Sequence, residues 1–244
     1  MKETILVSGG GGKLAKEIKK CAKNYNVIAP SKDEMDIRDI LKIEIYLKKY
    51  NPKYFIHAAA FTKPMQNHEK FPEKSITTNI IGTSNIVIAC LKFLETKLIY
   101  ISTDYVYPGE KGNYKETDGI SPYSKVNDGI SKYGWSKLGG ECSVHYLENF
   151  LIIRACLCDY PFPHEAALND VKKSMIFTKD AAPKILKILD QRGIINLGGK
   201  SQSVYDFAKI QKPSISKISR CDIPNLDIAP DTSMDIARLN KLIN

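Results

Sequence analysis

The chain has 244 residues, 26% of them charged, and a formal net charge of +9. A chain of that length buries roughly 70–75% of its unfolded surface, enough for one large domain or a domain with a small lobe. No stretch approaches the ~18-residue apolar run of a membrane span, and Met1-Lys-Glu-Thr-Ile-Leu-Val leads straight into a strand, so a cytoplasmic protein without membrane attachment is expected. All but five of the 36 cations are lysine, spread along the chain. That pattern suits a solvated surface and anionic small molecules better than nucleic acid, whose bases are read by clustered arginine. The six cysteines form no C-x-x-C pair and the four histidines lack ligand spacing, so buried thiols and no metal are expected.

In chain order, residues 4–8 form a short apolar run ending in glycines, the pattern of a buried parallel strand, and 13–24 follow at helical spacing. Strands are expected at 26–30, 54–59, 97–102 and 150–157, with helices at 37–50, 75–94 and 129–148 between them. Strands alternating with helices imply a doubly wound parallel sheet of Rossmann type. After residue 158 the rhythm breaks at Asp159-Tyr-Pro-Phe-Pro163. Helices at 181–189, 204–210 and 233–242, a strand at 193–197 and a polar stretch at 212–230 then suggest a small C-terminal substrate lobe. Residues 1–158 would be the dinucleotide-binding domain and 159–244 the lobe over the carboxyl edge of the sheet.

The glycine run opens the argument about function. Gly9-x-x-Gly12-x-x-Ala15 lies between the first strand and first helix, where backbone N–H groups and a helix N-terminus favour a pyrophosphate. Lys13 and Leu14 lie in the same turn. At the end of the second strand, Ala29-Pro30-Ser31-Lys32 offers a hydroxyl and a cation and no acid before Asp33. A ribose 2′-phosphate favours such a site, so NADPH is expected ahead of NADH. Asp36 and Ile37 would serve the adenine, and the small Ala58, Ala59 and Ala60 would let a cofactor lie across the sheet edge.

Tyr133 and Lys137 share one face of a helix. An ammonium beside a phenol stabilises phenolate, which is what a general acid for a ketone requires. The pattern alone proves little: chance gives about 1.7 such pairs in a chain of this composition, and three occur. Tyr107–Lys111 spans a turn and Tyr205–Lys209 follows the sheet. Only Tyr133 opens the helix after the fourth strand, about 30 residues beyond Thr103. Thr103 or Ser102, at that strand's end, would hydrogen-bond a substrate oxygen as charge develops. The order of these parts is that of enzymes moving hydride between nicotinamide and a carbonyl or alcohol.

Several stretches carry a resemblance: Ser8-Gly-Gly-Gly-Gly-Lys-Leu-Ala15, His57-Ala-Ala-Ala-Phe-Thr62, Asn79-Ile-Ile-Gly-Thr83, Ile101-Ser-Thr-Asp-Tyr-Val-Tyr107, Tyr133-Gly-Trp-Ser-Lys-Leu-Gly-Gly-Glu141 and Arg154. With them the chain resembles the extended short-chain dehydrogenase/reductase superfamily, in its dTDP-4-dehydrorhamnose reductase-like branch of nucleotide-sugar 4-ketoreductases. The likeness weakens at Ala155-Cys-Leu-Cys-Asp159 and beyond, and the chain is short for the family. It implies Thr103, Tyr133 and Lys137 as catalytic trio, with Thr62, Asp104, Tyr105 and Arg154 toward the sugar and Asn79 supporting the helix of the lysine. The implied reaction is NADPH-dependent reduction of a 4-keto group on a nucleotide-diphosphate 6-deoxyhexose, in polysaccharide precursor synthesis, with a homodimer left open. Two alternatives stand beside it: a nucleotide-sugar epimerase retaining NAD, and a non-catalytic NADP-binding regulatory subunit.

Overall fold

A computed structural model describes residues 2–62, 64–118, 130–223 and 228–243. Its central element is a parallel six-stranded sheet of β1 (Thr4–Ser8), β2 (Asn26–Ile28), β3 (Tyr54–His57), β4 (Lys97–Thr103), β5 (Phe150–Ala155) and β6 (Gly193–Leu197). In space the order is β6-β5-β4-β3-β1-β2. The strand sequences are mostly apolar on both faces because both faces are covered, with Arg154 and Asn196 as polar members near the carboxyl ends of β5 and β6. Period-two alternation then divides them between two cores. Ile5, Val7, Tyr54, Ile56, Ile99 and Ile153 pack with α1 (Lys13–Cys21) and the later helix Thr178–Lys187. Their neighbours Leu6, Phe55, Leu98, Tyr100 and Ile152 pack with α2 (Ile40–Tyr50), α3 (Gly82–Cys90) and α4 (Lys132–Val144).

From β1 the chain moves outward to β2, then returns past β1 to β3. The strand order therefore reverses between β1 and β3, and the crevice at their carboxyl ends is where ligands of such sheets bind. β4 and β5 continue the sheet in the same sense, so Thr103 and Ala155 end at that same rim, paired in register.

Element limits differ from the sequence reading where local chemistry intervenes. α2 begins at Ile40, not Ile37, because Asp39 accepts the Leu41 and Lys42 N–H groups as an N-cap. The long helix expected at 75–94 starts at Pro72, passes through a π-helical segment, Ile76–Ile81, and ends at Cys90. α4 starts at Lys132, with Ser131 accepting the Gly134 N–H; position 129 of the expected helix lies outside the described residues. The expected strand 150–157 breaks after Ala155, and Leu157–Cys158 pairs instead with Ile176–Phe177.

Beyond that break, β6 joins the main sheet beside β5, and the helix Thr178–Lys187 (α5) packs beneath it. Two further ribbons pair Ala166–Leu168 with Ser216–Ile218 and Lys172–Lys173 with Gln202–Ser203. A satellite core of Phe162, Ala167, Phe207, Ala208 and Ile215 holds them, with α6 (Val204–Gln211) contributing two of its members. The sequence reading assigned no element to the polar stretch 212–230; it contains the strand Ser216–Ile218, and its residues 224–227 lie outside the described residues. The closing helix α7, Ala237–Ile243, is shorter than the 233–242 expected, since Met234 and Asp235 are engaged by Ser174 and Tyr114. Among the described residues no helix is long and apolar enough to cross a membrane.

Candidate active site

The turn after β1 is shaped for an anion. Gly9 has φ +74°, and a Cβ there would lie 2.9 Å from the Ala59 Cα. At Gly10 a Cβ would lie 2.1 Å from the Ala29 carbonyl oxygen, while its N–H bonds Pro30 O at 2.9 Å. The three turns at the ends of β1, β2 and β3 thus touch backbone to backbone, which only glycine permits. Gly12 is the N-cap of α1 and supplies no side-chain acceptor, and no acid stands in the first turn. Open space surrounds Gly11. A first turn of N–H groups without an internal acceptor, beside an unfilled bend, fits a cofactor diphosphate. Lys13 is exposed and pairs with Asp159 at 2.8 Å, and Leu14 is buried in the core.

At the end of β2, the sequence reading found no acid ahead of Asp33. The fold supplies one: Glu34 folds back so that its carboxylate accepts the Ser31 N–H at 2.7 Å. Lys32 is exposed. Asp36 is held down to about 2 by Arg38, whose guanidinium grips it from two residues away. Ile37 is buried, its carbonyl accepting from Asn85.

Between the crevice and the helix of Tyr133 runs a directional hydrogen-bond chain that the sequence did not reveal. Ala59 N–H donates to Ser8 Oγ, Ser8 faces His57 Nδ1 at 2.8 Å, and His57 Nε2 faces Thr83 Oγ1 at 3.0 Å. Thr83 in turn donates to Asn79 O at 2.7 Å. Because Thr83 donates onward, it accepts from His57, which fixes the Nε2–H tautomer and makes Nδ1 the acceptor of Ser8. Burial, with the Lys137 charge nearby, keeps this imidazole neutral by pushing its pKa well below the usual value. Its buried position beside Ser8 was the one available signal, and spacing rules for metals passed over it. Asn79, in the π-helical segment, brackets Phe61 by accepting its N–H at 2.8 Å and donating to its carbonyl at 2.9 Å. The same amide donates to Ser136 Oγ at 2.8 Å, and Ser136 bonds the Tyr133 carbonyl. Asn79 therefore ties the loop after β3 to the helix of Tyr133. Ala58, Ala59 and Ala60 are half-buried along that loop, and Thr62 beyond them is exposed.

Tyr133 is half-buried at the start of α4, its ring against His68 at 5.0 Å and Tyr105 at 5.7 Å. Burial pushes the phenol pKa up, as does the Asp104 carboxylate, while Thr103 and Lys173 favour the phenolate. Lys137, one turn on, is buried with its Nζ 4.1 Å above the Tyr100 ring. Burial pushes its pKa down to about 7, opposed by Glu141. Thr103, at the end of β4, donates to Asp104 Oδ1 at 3.2 Å and accepts the Tyr105 N–H. Ser102 points to the other face and donates to Glu141.

Two buried ion pairs back this array. Asp104 Oδ2 meets Lys173 Nζ at 2.6 Å and accepts from Thr232 at 2.7 Å. Arg154 lays its guanidinium on Glu141, with Nη2 to Oε2 at 2.8 Å, and donates to the Tyr107 hydroxyl at 3.1 Å. Tyr107 continues to Asn196 on β6. The charges of Asp104 and Arg154 are therefore matched inside the protein. Lys173 and Thr232 escaped the sequence reading because each comes from a segment without periodicity, and only the fold brings them to β4. Among the described residues no cluster of histidine, cysteine and acidic side chains could hold a metal.

The sequence matches the RmlD substrate binding domain family over residues 1–192. The chain belongs to that family. It is 33% identical over 228 residues to a spore coat polysaccharide biosynthesis protein, SpsK, of Bacillus subtilis, covering 84% of this chain and 76% of that one. With a dTDP-4-dehydrorhamnose reductase of Aggregatibacter actinomycetemcomitans it shares 30% identity over 141 residues, 56% of this chain and 45% of the relative. The chain spans about half the length of several curated relatives it matches. Its fold is that of a dTDP-4-dehydrorhamnose reductase from Bacillus anthracis, solved in complex with NADP, at a TM-score of 0.85 and 23% identity over 99% of this chain and 93% of that one.

Proposed function

We propose that this RmlD-family protein is an NADPH-dependent oxidoreductase that reduces the 4-keto group of a nucleotide-linked 6-deoxyhexose in the cytoplasm, with the ribbons and satellite core outside the main sheet lying beside the sugar. What supports the reading is that Thr103 ends β4 at the carboxyl rim near Tyr133, that Lys137 follows one turn along the same helix, and that the glycine bend after β1 suits an anion. Relatives bearing such reductase names support the same chemistry. Gly9, Gly12 and the first turn of α1 would hold the diphosphate, Ser31 and Lys32 the ribose phosphate, and Asp36 and Ile37 the adenine. Glu34, beside Ser31, would let NADH compete, since a carboxylate there can accept from a ribose hydroxyl.

Once bound, the nicotinamide supplies hydride to the carbonyl carbon. Tyr133 gives its proton to the oxygen as negative charge develops there, and Thr103 orients that oxygen. Lys137 holds the nicotinamide ribose and, charged, favours the phenolate left behind. Asn79 and His57 hold the loop and helix in fixed relation. Thr62 and Tyr105 would contact the sugar, whereas Asp104 and Arg154 act from behind, through their ion pairs.

The test is to offer NADPH with each dTDP- or UDP-linked 4-keto-6-deoxy sugar and follow loss of nicotinamide absorbance. Turnover with one of them is expected. Cofactor binding with silence toward every substrate favours a second reading, a non-catalytic regulatory subunit. That reading draws on 27% identity over 158 residues to methionine adenosyltransferase 2 subunit beta of Bos taurus.

A further inference from the structure

We propose that Lys173 is a positioning residue for the proton donor: through Asp104 it sets the charge facing Tyr133 and the direction of the Thr103 hydroxyl. The proposal rests on the functional reading above and assigns the reaction a residue from outside the first 158 positions.

The geometry is specific. Lys173 and Asp104 are both almost fully buried, with side-chain exposures of 6% and 2%. The ammonium meets Asp104 Oδ2 at 2.6 Å and Thr232 Oγ1 at 2.9 Å, and lies 4.0 Å above the Tyr105 ring. Asp104 Oδ1 takes the Thr103 proton. While that proton points to Asp104 the Thr103 oxygen accepts the Tyr105 N–H, and the hydroxyl can turn its proton to a substrate oxygen because Lys173 and Thr232 go on holding Asp104. Thr103, Asp104, Lys173 and Thr232 therefore form one connected set, and the Tyr105 ring under the Lys173 ammonium joins it to the Tyr133 ring, 5.7 Å away.

Backbone pairing delivers the two distant members. Lys172 N–H bonds Pro230 O and Thr232 N–H bonds Lys172 O, so Lys173 and Thr232 arrive side by side. Of the two consecutive lysines, strand alternation sends Lys172 outward and Lys173 inward.

Charge explains why a lysine is needed. A lone buried carboxylate beside Tyr133 would oppose phenolate and weaken the acid. The neighbouring ammonium cancels that field. The other groups around the phenol are Tyr105, His68, Tyr100, and, on the far side of Asp104, the Cys156 thiol, held protonated by burial. Lys137 stands one turn along the same helix, with Glu141 beyond it. Of these groups the aromatic rings and the thiol carry no charge, Glu141 is paired with Arg154, and the cation in contact with Asp104 is Lys173.

The test compares Lys173→Met, Lys173→Arg, Asp104→Asn and the double variant Lys173→Met/Asp104→Asn. Two readouts are taken: the pH profile of kcat, and the ring resonance of isotope-labelled Tyr133, assigned with Tyr133→Phe. Lys173→Met is expected to lower kcat on the order of 10–100-fold with KM within about twofold, and to move the alkaline limb of the profile upward. Lys173→Arg retains most of the rate. In the double variant the limb and the Tyr133 resonance return toward those of the parent. An unmoved limb and resonance in Lys173→Met, or a double variant as impaired as the single, would overturn the proposal and leave Lys173 a structural residue. Should Lys173→Met not fold, Asp104→Asn against the double variant gives the same comparison, with the limb expected lower in Asp104→Asn. If the parent protein reduces no keto-sugar, the functional reading fails on its own, while the resonance comparison still decides the role of Lys173.

Discussion

The two sides of the proposed catalytic rim are built by different physics. On the cofactor side, around β1, β2 and β3, backbone meets backbone through Gly9 and Gly10, and the polar chain from Ala59 to Asn79 carries no formal charge. On the substrate side, around β4 and β5, the rim is held by two buried ion pairs, Asp104–Lys173 and Glu141–Arg154. The difference teaches where each half is vulnerable. Shape governs the first, so added volume breaks it. The second depends on charge balance, so the removal of one partner breaks it while the removal of both need not.

The largest expected effect lies where the two sides meet. Tyr133→Phe removes the proposed proton donor and keeps the ring packed against His68 and Tyr105, so turnover should fall on the order of 10²–10⁴ with cofactor affinity retained. Full activity in this variant would remove Tyr133 from its role. On the charged side, Arg154→Met should lower unfolding free energy by about 3–5 kcal/mol, and Arg154→Met with Glu141→Leu should recover much of it, as read by denaturant unfolding. A single variant no less stable than the parent would show that the pair is not what holds this half.

On the cofactor side, Gly10→Ala must displace the Ala29–Pro30 backbone, and nicotinamide binding followed by fluorescence should weaken at least about tenfold. Unchanged affinity would mean that the three turns are not the cradle.

The smallest effect concerns Lys137, whose pKa is pushed from 10.5 to about 7 in the folded chain. Between those values the unfolded state binds the proton that the folded state has released, so ligand-free stability should rise with pH. Its slope is at most about 1.4 kcal/mol per pH unit. Lys137→Met should flatten that rise in a series of thermal melts; an equal slope in both proteins would place the titrating group elsewhere.

Legibility followed the same division. Gly9 and Gly12, the strand ends and the Tyr133–Lys137 spacing are local patterns, each readable over a few residues of sequence. Asp104 and Arg154 were visible as residues but not in their pairing. Lys173 lies 69 positions from Asp104, and Thr232 lies 128 away. Glu34 was passed over for a related reason. Its carboxylate reaches the end of β2 by a backward turn, not by standing at that position in the strand.

Local sequence thus settled the alternation of strands and helices, because apolar runs and glycine turns act over a few residues. It also marked Tyr133 as the candidate proton donor, because an ammonium and a phenol one helical turn apart share a face. The tertiary structure alone decided the charge around that donor. A buried carboxylate and its ammonium find each other only when distant segments are brought together, and no periodicity in the chain records such a meeting.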